Sequence, residues 1–310
     1  MNFKRELIQE DLSVFKENGF LIIPNFINKD IINEIKIDIN PWLKKASSNN
    51  RFSSSIIGNN QWIDHLGLCS RTAIKLALDE KIINFLEKYF NDQIILGACH
   101  YQRKILPEKK GIAMHSDKGK GIWFFIYLNS IDINTGATRY LPKTHKISLD
   151  KLNNKNLVLF SDATDGGGGA DYLDINNSII EKKFKDAVHV KGGSGTAVFF
   201  NPHIWHDVPS FSKARREMLW FKYLPKKINN EAVDHLYKQS ILSDLSKKQL
   251  DTYCINTKTN MIQGLTRFGS DNMIYHHASP SHATKRTKFR NLRMTAYYFR
   301  FLLLSLFKKI

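Results

Sequence analysis

Gly121-Ile-Trp-Phe-Phe-Ile-Tyr-Leu-Asn129 is an unbroken apolar run, rich in aromatic and β-branched residues and closed at both ends by turn formers. It is too short for a core helix and reads as a buried strand. Four more runs of the same kind follow: Ala137–Leu141, Ala187–Val190, Thr196–Asn201 and Arg216–Leu224, bounded by Gly, Pro and Asn. Short strands at such spacing predict a sandwich or barrel in the centre of the chain.

Outward from that centre the pattern changes to helix. On the N-terminal side the apolar spacing predicts a helix over Gln9–Asn18 and a short strand over Gly19–Pro24. A second helix is expected over Asp30–Lys45, with Asn28 as its cap and Ile at helical spacing. Residues 46–60 are rich in Ser and Asn and read as a loop. A helix at Asp79–Tyr89 and a strand at Gln93–Leu106 lead into the β centre, and Asn229–Tyr253 again reads as helix. No internal repeat is present. The expected fold is mainly β with helical additions. Its parts are a domain over 1–225, a helical extension of that domain over 226–284, and a basic, apolar tail over 285–310.

The chain has 310 residues, 42% of them hydrophobic and 24% charged, which is the balance of a globular protein. Its net charge of +17 is uneven: from Ser281 to Ile310 there are eight Lys or Arg and no acid. The body is therefore only moderately basic, and no groove of interleaved aromatic and basic residues is legible, so no nucleic-acid partner is expected. Cys69, Cys99 and Cys254 form neither a CxxC pair nor a disulfide framework, which suits a reducing, cytoplasmic setting. The opening Met1-Asn-Phe-Lys-Arg-Glu-Leu-Ile-Gln-Glu-Asp-Leu12 has charges of both signs and no apolar core, so no signal peptide is expected. No window approaches the roughly 20 apolar residues of a spanning helix.

The chemistry gathers just before the central run, at Met114-His115-Ser116-Asp117. A His and an Asp two apart on an extended segment share one face. A second His from a distant strand would complete two imidazoles and one carboxylate with open positions opposite, the facial arrangement of non-haem Fe(II) oxygenases. HxD alone is short, and a metal-free surface pair is its ordinary reading. The downstream order changes that. Gly195-Thr-Ala-Val-Phe-Phe200 is a buried strand leading into Asn201-Pro-His-Ile-Trp-His206, and Arg215-Arg216 begins the next strand.

Taken in order, these pieces resemble the phytanoyl-CoA dioxygenase family of Fe(II)/2-oxoglutarate oxygenases. The matching segments are Gly19-Phe-Leu-Ile-Ile-Pro24, His115-Ser-Asp117, Thr135-Gly-Ala-Thr-Arg-Tyr-Leu-Pro-Lys-Thr-His-Lys146, Gly195-Thr-Ala-Val-Phe-Phe200, and His206 with an Arg shortly after. They span about residues 10–225. The resemblance implies a double-stranded β-helix (jelly roll) with iron held by His115, Asp117 and His206. It also implies 2-oxoglutarate chelated through its C1 carboxylate and keto oxygen, with O2 as the oxidant. An Arg would bind the far carboxylate of the co-substrate. That role falls on Arg216, with Arg215 as the alternative register. His203 is the rival for the distal metal position, and the family order favours His206. Val208 stands where the family often has a small polar residue. Gln102 and Phe125 are candidate neighbours of the co-substrate, and His145 reads as a structural brace in its turn.

The reaction implied is hydroxylation, or a related C–H oxidation, with release of succinate and CO2 from a small-molecule substrate, anionic or lipid-linked. The competing reading is a non-catalytic jelly-roll binding protein, or a membrane-surface protein that acts through its tail. The glycines of Gly166–Gly169 lie between core strands and read as part of a closing segment; His276-His277 reads as a loop pair. The tail, Lys285–Ile310, has two readings: a cationic anchor at an anionic lipid surface, or a helix docked on the domain or across a dimer.

Overall fold

The computed structural model describes residues 3–44, 55–57, 60–63, 65–104, 106–107, 111–117, 120–147, 157–158, 170–173, 185–213, 216–227, 233–253 and 273–278. Arg215, Cys254, Gly166–Gly169 and the basic tail lie outside the described residues.

The first helix, α1 (Gln9–Asn18), buries Leu12 and Phe15, three apart on one face. The Asp11 carboxylate accepts the Ile8 N–H at 3.0 Å at its start. Gly19, at φ 84°, ends it, donating its N–H to Phe15 O at 2.9 Å. Strand β1 (Phe20–Ile23) follows at once. In α2 (Lys29–Lys44), Ile32, Ile35 and Ile39 form the buried stripe, and the Asn28 carbonyl accepts the Ile32 N–H. A hairpin of β2 (Ser55–Ile57) and β3 (Asn60–Ile63) precedes two capped helices. Ser70 Oγ caps α3 (Arg71–Ala77), and Asp79 caps α4 (Glu80–Phe90) by accepting the Lys81 N–H.

The remaining strands of the core are β4 (Ile94–Lys104), β5 (Ile112–Asp117), β6 (Ile122–Tyr127), β7 (Arg139–Tyr140), β8 (Leu157–Val158), β9 (Ala170–Leu173), β10 (Val188–His189), β11 (Ala197–Phe200), β12 (His206–Val208) and β13 (Glu217–Pro225). They form a larger sheet in the order β1-β11-β6-β13-β4-β3-β2 and a smaller one in the order β10-β7-β12-β5-β9-β8. All these pairings are antiparallel.

The larger sheet is buried on both faces, because its strands alternate between two cores. Phe124, Phe199, Leu219, Phe221 and Tyr223 turn outward to meet Phe15, Ile35, Phe85 and the other helix residues. Phe124 and Phe199 stack at 4.1 Å. Phe125, Tyr127, Val198, Phe200 and Met218 turn inward, where they meet Tyr140, Val190 and Ile204 from the smaller sheet's side. Tyr140 stacks on Phe20 at 5.1 Å, so the inner core ties the two sheets together.

Burial, not surface charge, holds α1 in place. Sinking a side chain such as Phe15 contributes about 2–3 kcal/mol. An exposed ion pair such as Glu17 with Lys143 is screened by solvent and adds little.

The expected helix over Asn229–Tyr253 is corrected in its first part. Val233–Lys238 is strand β14, paired antiparallel with β15 (Met273–Ala278), which contains His276 and His277 in place of the expected loop. A 3-10 turn (Gln239–Asp244) and α5 (Lys247–Thr252) follow β14. Val-Asp-His-Leu-Tyr-Lys has no capping signal of its own, and its strand partner is remote in the sequence, so local periodicity could not reveal the pairing. Ile241 and Tyr253 are buried in the helix-side core.

Candidate metal centre

Strand β5 carries His115 and Asp117 on one face and Ser116 on the other. The Ser116 hydroxyl donates to His203 O at 3.0 Å. The Asp117 N–H donates to Pro202 O at 2.8 Å, which ties the end of β5 to the loop before β12. His206, the first residue of β12, is the direct cross-strand partner of His115 on one side and of Tyr140 on the other. Pairing in one sheet thus brings the three side chains to one place, with a donor atom of each lying within 4.8 Å of the others. His115 Nε2 is 3.7 Å from one Asp117 oxygen and His206 Nε2 is 3.8 Å from the other. His203, the rival ligand, is exposed and lies outside this trio.

The donor set fits a divalent cation. Those separations are too long for hydrogen bonds. Burial, and then the neighbouring His115, push the His206 imidazole down to about 3, so it is neutral and cannot form an ion pair with Asp117. Its Nδ1 lies 2.8 Å from Ile204 O. A carbonyl only accepts, so Nδ1 carries the proton and the Nε2 lone pair faces the trio. Burial raises the Asp117 carboxyl, against the opposing charges of His115, Lys222 and His203. A metal ion at the focus would reverse that balance and hold the carboxylate ionised. Two imidazoles and one carboxylate on one side form a triad capable of binding Fe(II).

Several contacts hold His206 in register. Thr144 Oγ1 donates to Leu141 O and accepts the Trp205 N–H at 3.0 Å. Arg139 on β7 pairs with Asp207, which is buried beside His206. His145 Nε2 contacts Lys16 O at 3.3 Å, so this turn braces the end of α1.

Arg216, just before β13, is 2% exposed, and its Nη1 donates to Gly136 O at 2.8 Å. Its charge reaches Tyr127 and Tyr140, whose hydroxyls are raised chiefly by burial. Tyr140 in turn lies 6.0 Å from His206, ring to ring, so Arg216, Tyr140 and His206 form a continuous series. Gln102 is buried on β4, in register with Met218 and Trp62. Phe125 packs edge-on against Phe200 at 4.8 Å and stacks on Trp220 at 4.7 Å. Val208 is buried after a register shift in β12.

The sequence reading missed Tyr127, Thr138 and Tyr140, the polar floor in which Tyr127 Oη and Thr138 Oγ1 are 3.1 Å apart. Tyr140 had one usable signal, its place in the Thr135–Lys146 segment.

The profile of the phytanoyl-CoA dioxygenase (PhyH) family matches residues 15–216, well over half of the chain. Similar solved structures are HygX from Streptomyces hygroscopicus with nickel and 2-oxoglutarate bound (TM-score 0.52, 16% identity, 71% of this chain and 88% of that one). Another is the epimerase SnoN in complex with Fe3+, alpha ketoglutarate and nogalamycin RO (TM-score 0.52, 14% identity, 70% and 83%). A third is the carbocyclase SnoK from nogalamycin biosynthesis (TM-score 0.50, 13% identity, 72% and 86%). No curated protein matches the chain in sequence.

The fold is a mixed α/β one related to the double-stranded β-helix of 2-oxoglutarate oxygenases, and its inter-sheet site carries a His/His/Asp triad. Those features define an Fe(II)/2-oxoglutarate-dependent oxidoreductase. The chain belongs to the phytanoyl-CoA dioxygenase family. Among the described residues no helix is long and apolar enough to cross a membrane.

Proposed function

We propose that this chain is a dioxygenase that hydroxylates, or otherwise oxidises a C–H bond of, a small-molecule substrate. Fe(II) would be held by His115, Asp117 and His206, and 2-oxoglutarate anchored by Arg216. The observation that carries the reading is the triad, whose three donor atoms converge within 4.8 Å from two paired strands. On this reading the two facing sheets are the walls of a jelly roll.

Bound Fe(II) supplies the oxidative chemistry, in which 2-oxoglutarate and O2 yield succinate and CO2 and one oxygen atom goes to the substrate. The chain's own residues do the positioning. Arg216 presents a planar, always-charged fork for the far carboxylate of the co-substrate, at the end of the site lined by Tyr127, Thr138 and Tyr140. Gln102 and Phe125 line the co-substrate on the larger sheet, the first as a polar neighbour and the second as an apolar wall. The Nδ1–H contact to Ile204 O fixes the tautomer of His206. The closed aromatic core between the sheets keeps water from the inner end. Asp117 would take a position on the metal that related halogenases leave to chloride, which favours hydroxylation, desaturation or cyclisation over halogenation.

The test is succinate formation. Protein incubated in air with Fe(II), ascorbate and 2-oxoglutarate should release succinate, read by NMR, above the background of Asp117→Ala. Equal succinate from both proteins would contradict the reading.

A further inference from the structure

Lys222 is a buried cation on the inter-sheet face of β13. It is 8% exposed. Alternation along β13 turns Arg216, Met218, Trp220 and Lys222 to the inter-sheet side, while Leu219, Phe221 and Tyr223 go into the helix-side core. The cross-strand neighbours of Lys222 are Trp123 on β6 and Ala98 on β4. Its Nζ lies 5.7 Å from the centroid of the Trp123 ring. Trp123 is in turn the cross-strand partner of Phe200, whose ring lies 5.2 Å from that of His206. Lys222 therefore stands on the face of the larger sheet that looks toward the triad.

Beside it stands an aromatic wall made of three of the chain's five tryptophans. Trp220 meets Trp62 edge-on at 5.2 Å and Trp123 edge-on at 5.6 Å. All three are only partly buried, unlike Phe124, Phe199 and Phe221 on the opposite face of the same sheet. Partly open indole faces are a surface for a flat ring. Arg216 and Lys222 cannot hold the same end of one co-substrate. Six residues of strand separate them by about 20 Å, at roughly 3.3 Å per residue.

We propose that Lys222, with Trp62, Trp123 and Trp220, forms the substrate-binding wall and selects a small molecule that carries an anionic group, carboxylate or phosphate, on a flat ring. This rests on the triad and Arg216 reading above. The ammonium takes the anion in a charge-assisted contact, the ring lies along the tryptophans, and a neighbouring C–H faces the metal.

The test is calorimetric titration of the full-length protein, loaded anaerobically with Fe(II) and 2-oxoglutarate, with three probes: 2-naphthoate, 2-naphthyl phosphate and neutral 2-naphthamide. At least one anion should bind tenfold or more tightly than the amide, and which one does so separates carboxylate from phosphate substrates. Lys222→Met should remove that preference, Lys222→Arg should restore most of it, and Trp220→Leu should weaken all three probes. The charge-transfer band of the Fe(II)–2-oxoglutarate complex should form in every variant, which separates this proposal from the co-substrate assignment. Three results overturn it: equal binding of anions and amide, an anion preference that survives Lys222→Met, or a Lys222→Met protein that loses the band.

Discussion

His115 and His206, far apart in the sequence, are direct cross-strand partners whose rings lie 4.2 Å apart. Strand pairing in the smaller sheet therefore sets the geometry of the triad, and each ligand can be removed without unpairing the strands. Asp117→Ala and His206→Ala should each lower Fe(II) affinity by more than ~10²-fold, beyond the 10–100-fold typical of groups that only support a ligand. Far-UV circular dichroism should stay unchanged. Competition with a coloured chelator measures the first, and wild-type-like affinity in either variant would remove that residue from the site.

Arg216 is buried and hydrogen-bonded to Gly136 O, so truncating it removes a charge from a dry site. Arg216→Met should raise the concentration of 2-oxoglutarate needed for half-saturation by about 10²-fold, as for the loss of one partner in a buried charge pair. Fe(II) affinity should be retained. Arg216→Lys should recover only part, because an ammonium cannot reproduce the fork.

Gly19 combines a left-handed backbone, φ 84°, with the close approach of His145, whose Nδ1 would lie 2.3 Å from a Cβ. Gly19→Ala should cost more than about 1 kcal/mol, since strain and clash act together. His145→Ala in the same background should recover the clash component alone. Urea midpoints of the two proteins measure both.

Glu17 faces Lys143 and Lys146, whose hydrogen bonds and charges pull its carboxyl from 4.5 down to about 2. A depressed carboxylate stabilises the folded state above its unfolded value. That contribution is fully present above pH 4.5 and is lost as pH falls through the folded value near 2. Wild-type protein should therefore exceed Glu17→Gln in urea midpoint at pH 6, and the gap should narrow on acidification below 4.5. The pair is exposed, so 1 M salt should shrink the gap at any pH.

The legible parts of this fold are those fixed by local pattern. Leu12 and Phe15 in α1, the Asp79 cap of α4, and the aromatic runs of β6, β11 and β13 each announce themselves over a few residues. His115 and Asp117 were equally readable, because a strand fixes which residues share a face, whereas the choice of His206 over His203 rested on the resemblance and its order of segments. The hidden parts depend on remote partners. β14 takes its structure from β15, and Val233–Lys238 alone gives no hint of that. The helix α3 is capped by Ser70, but its seven residues give too little periodicity to register in the sequence. Lys222 is one polar residue in an apolar run, and only its register with Trp123 sets its ammonium beside the tryptophans.

The central claim is that His115, Asp117 and His206 hold Fe(II) with positions open for chelating 2-oxoglutarate. Its most direct test is an anaerobic titration of 2-oxoglutarate into the Fe(II)-loaded protein, followed in visible absorbance. The account predicts a metal-to-ligand charge-transfer band in the wild type, lost in Asp117→Ala and His206→Ala. Fe(II) bound without any such band at saturating 2-oxoglutarate would contradict it.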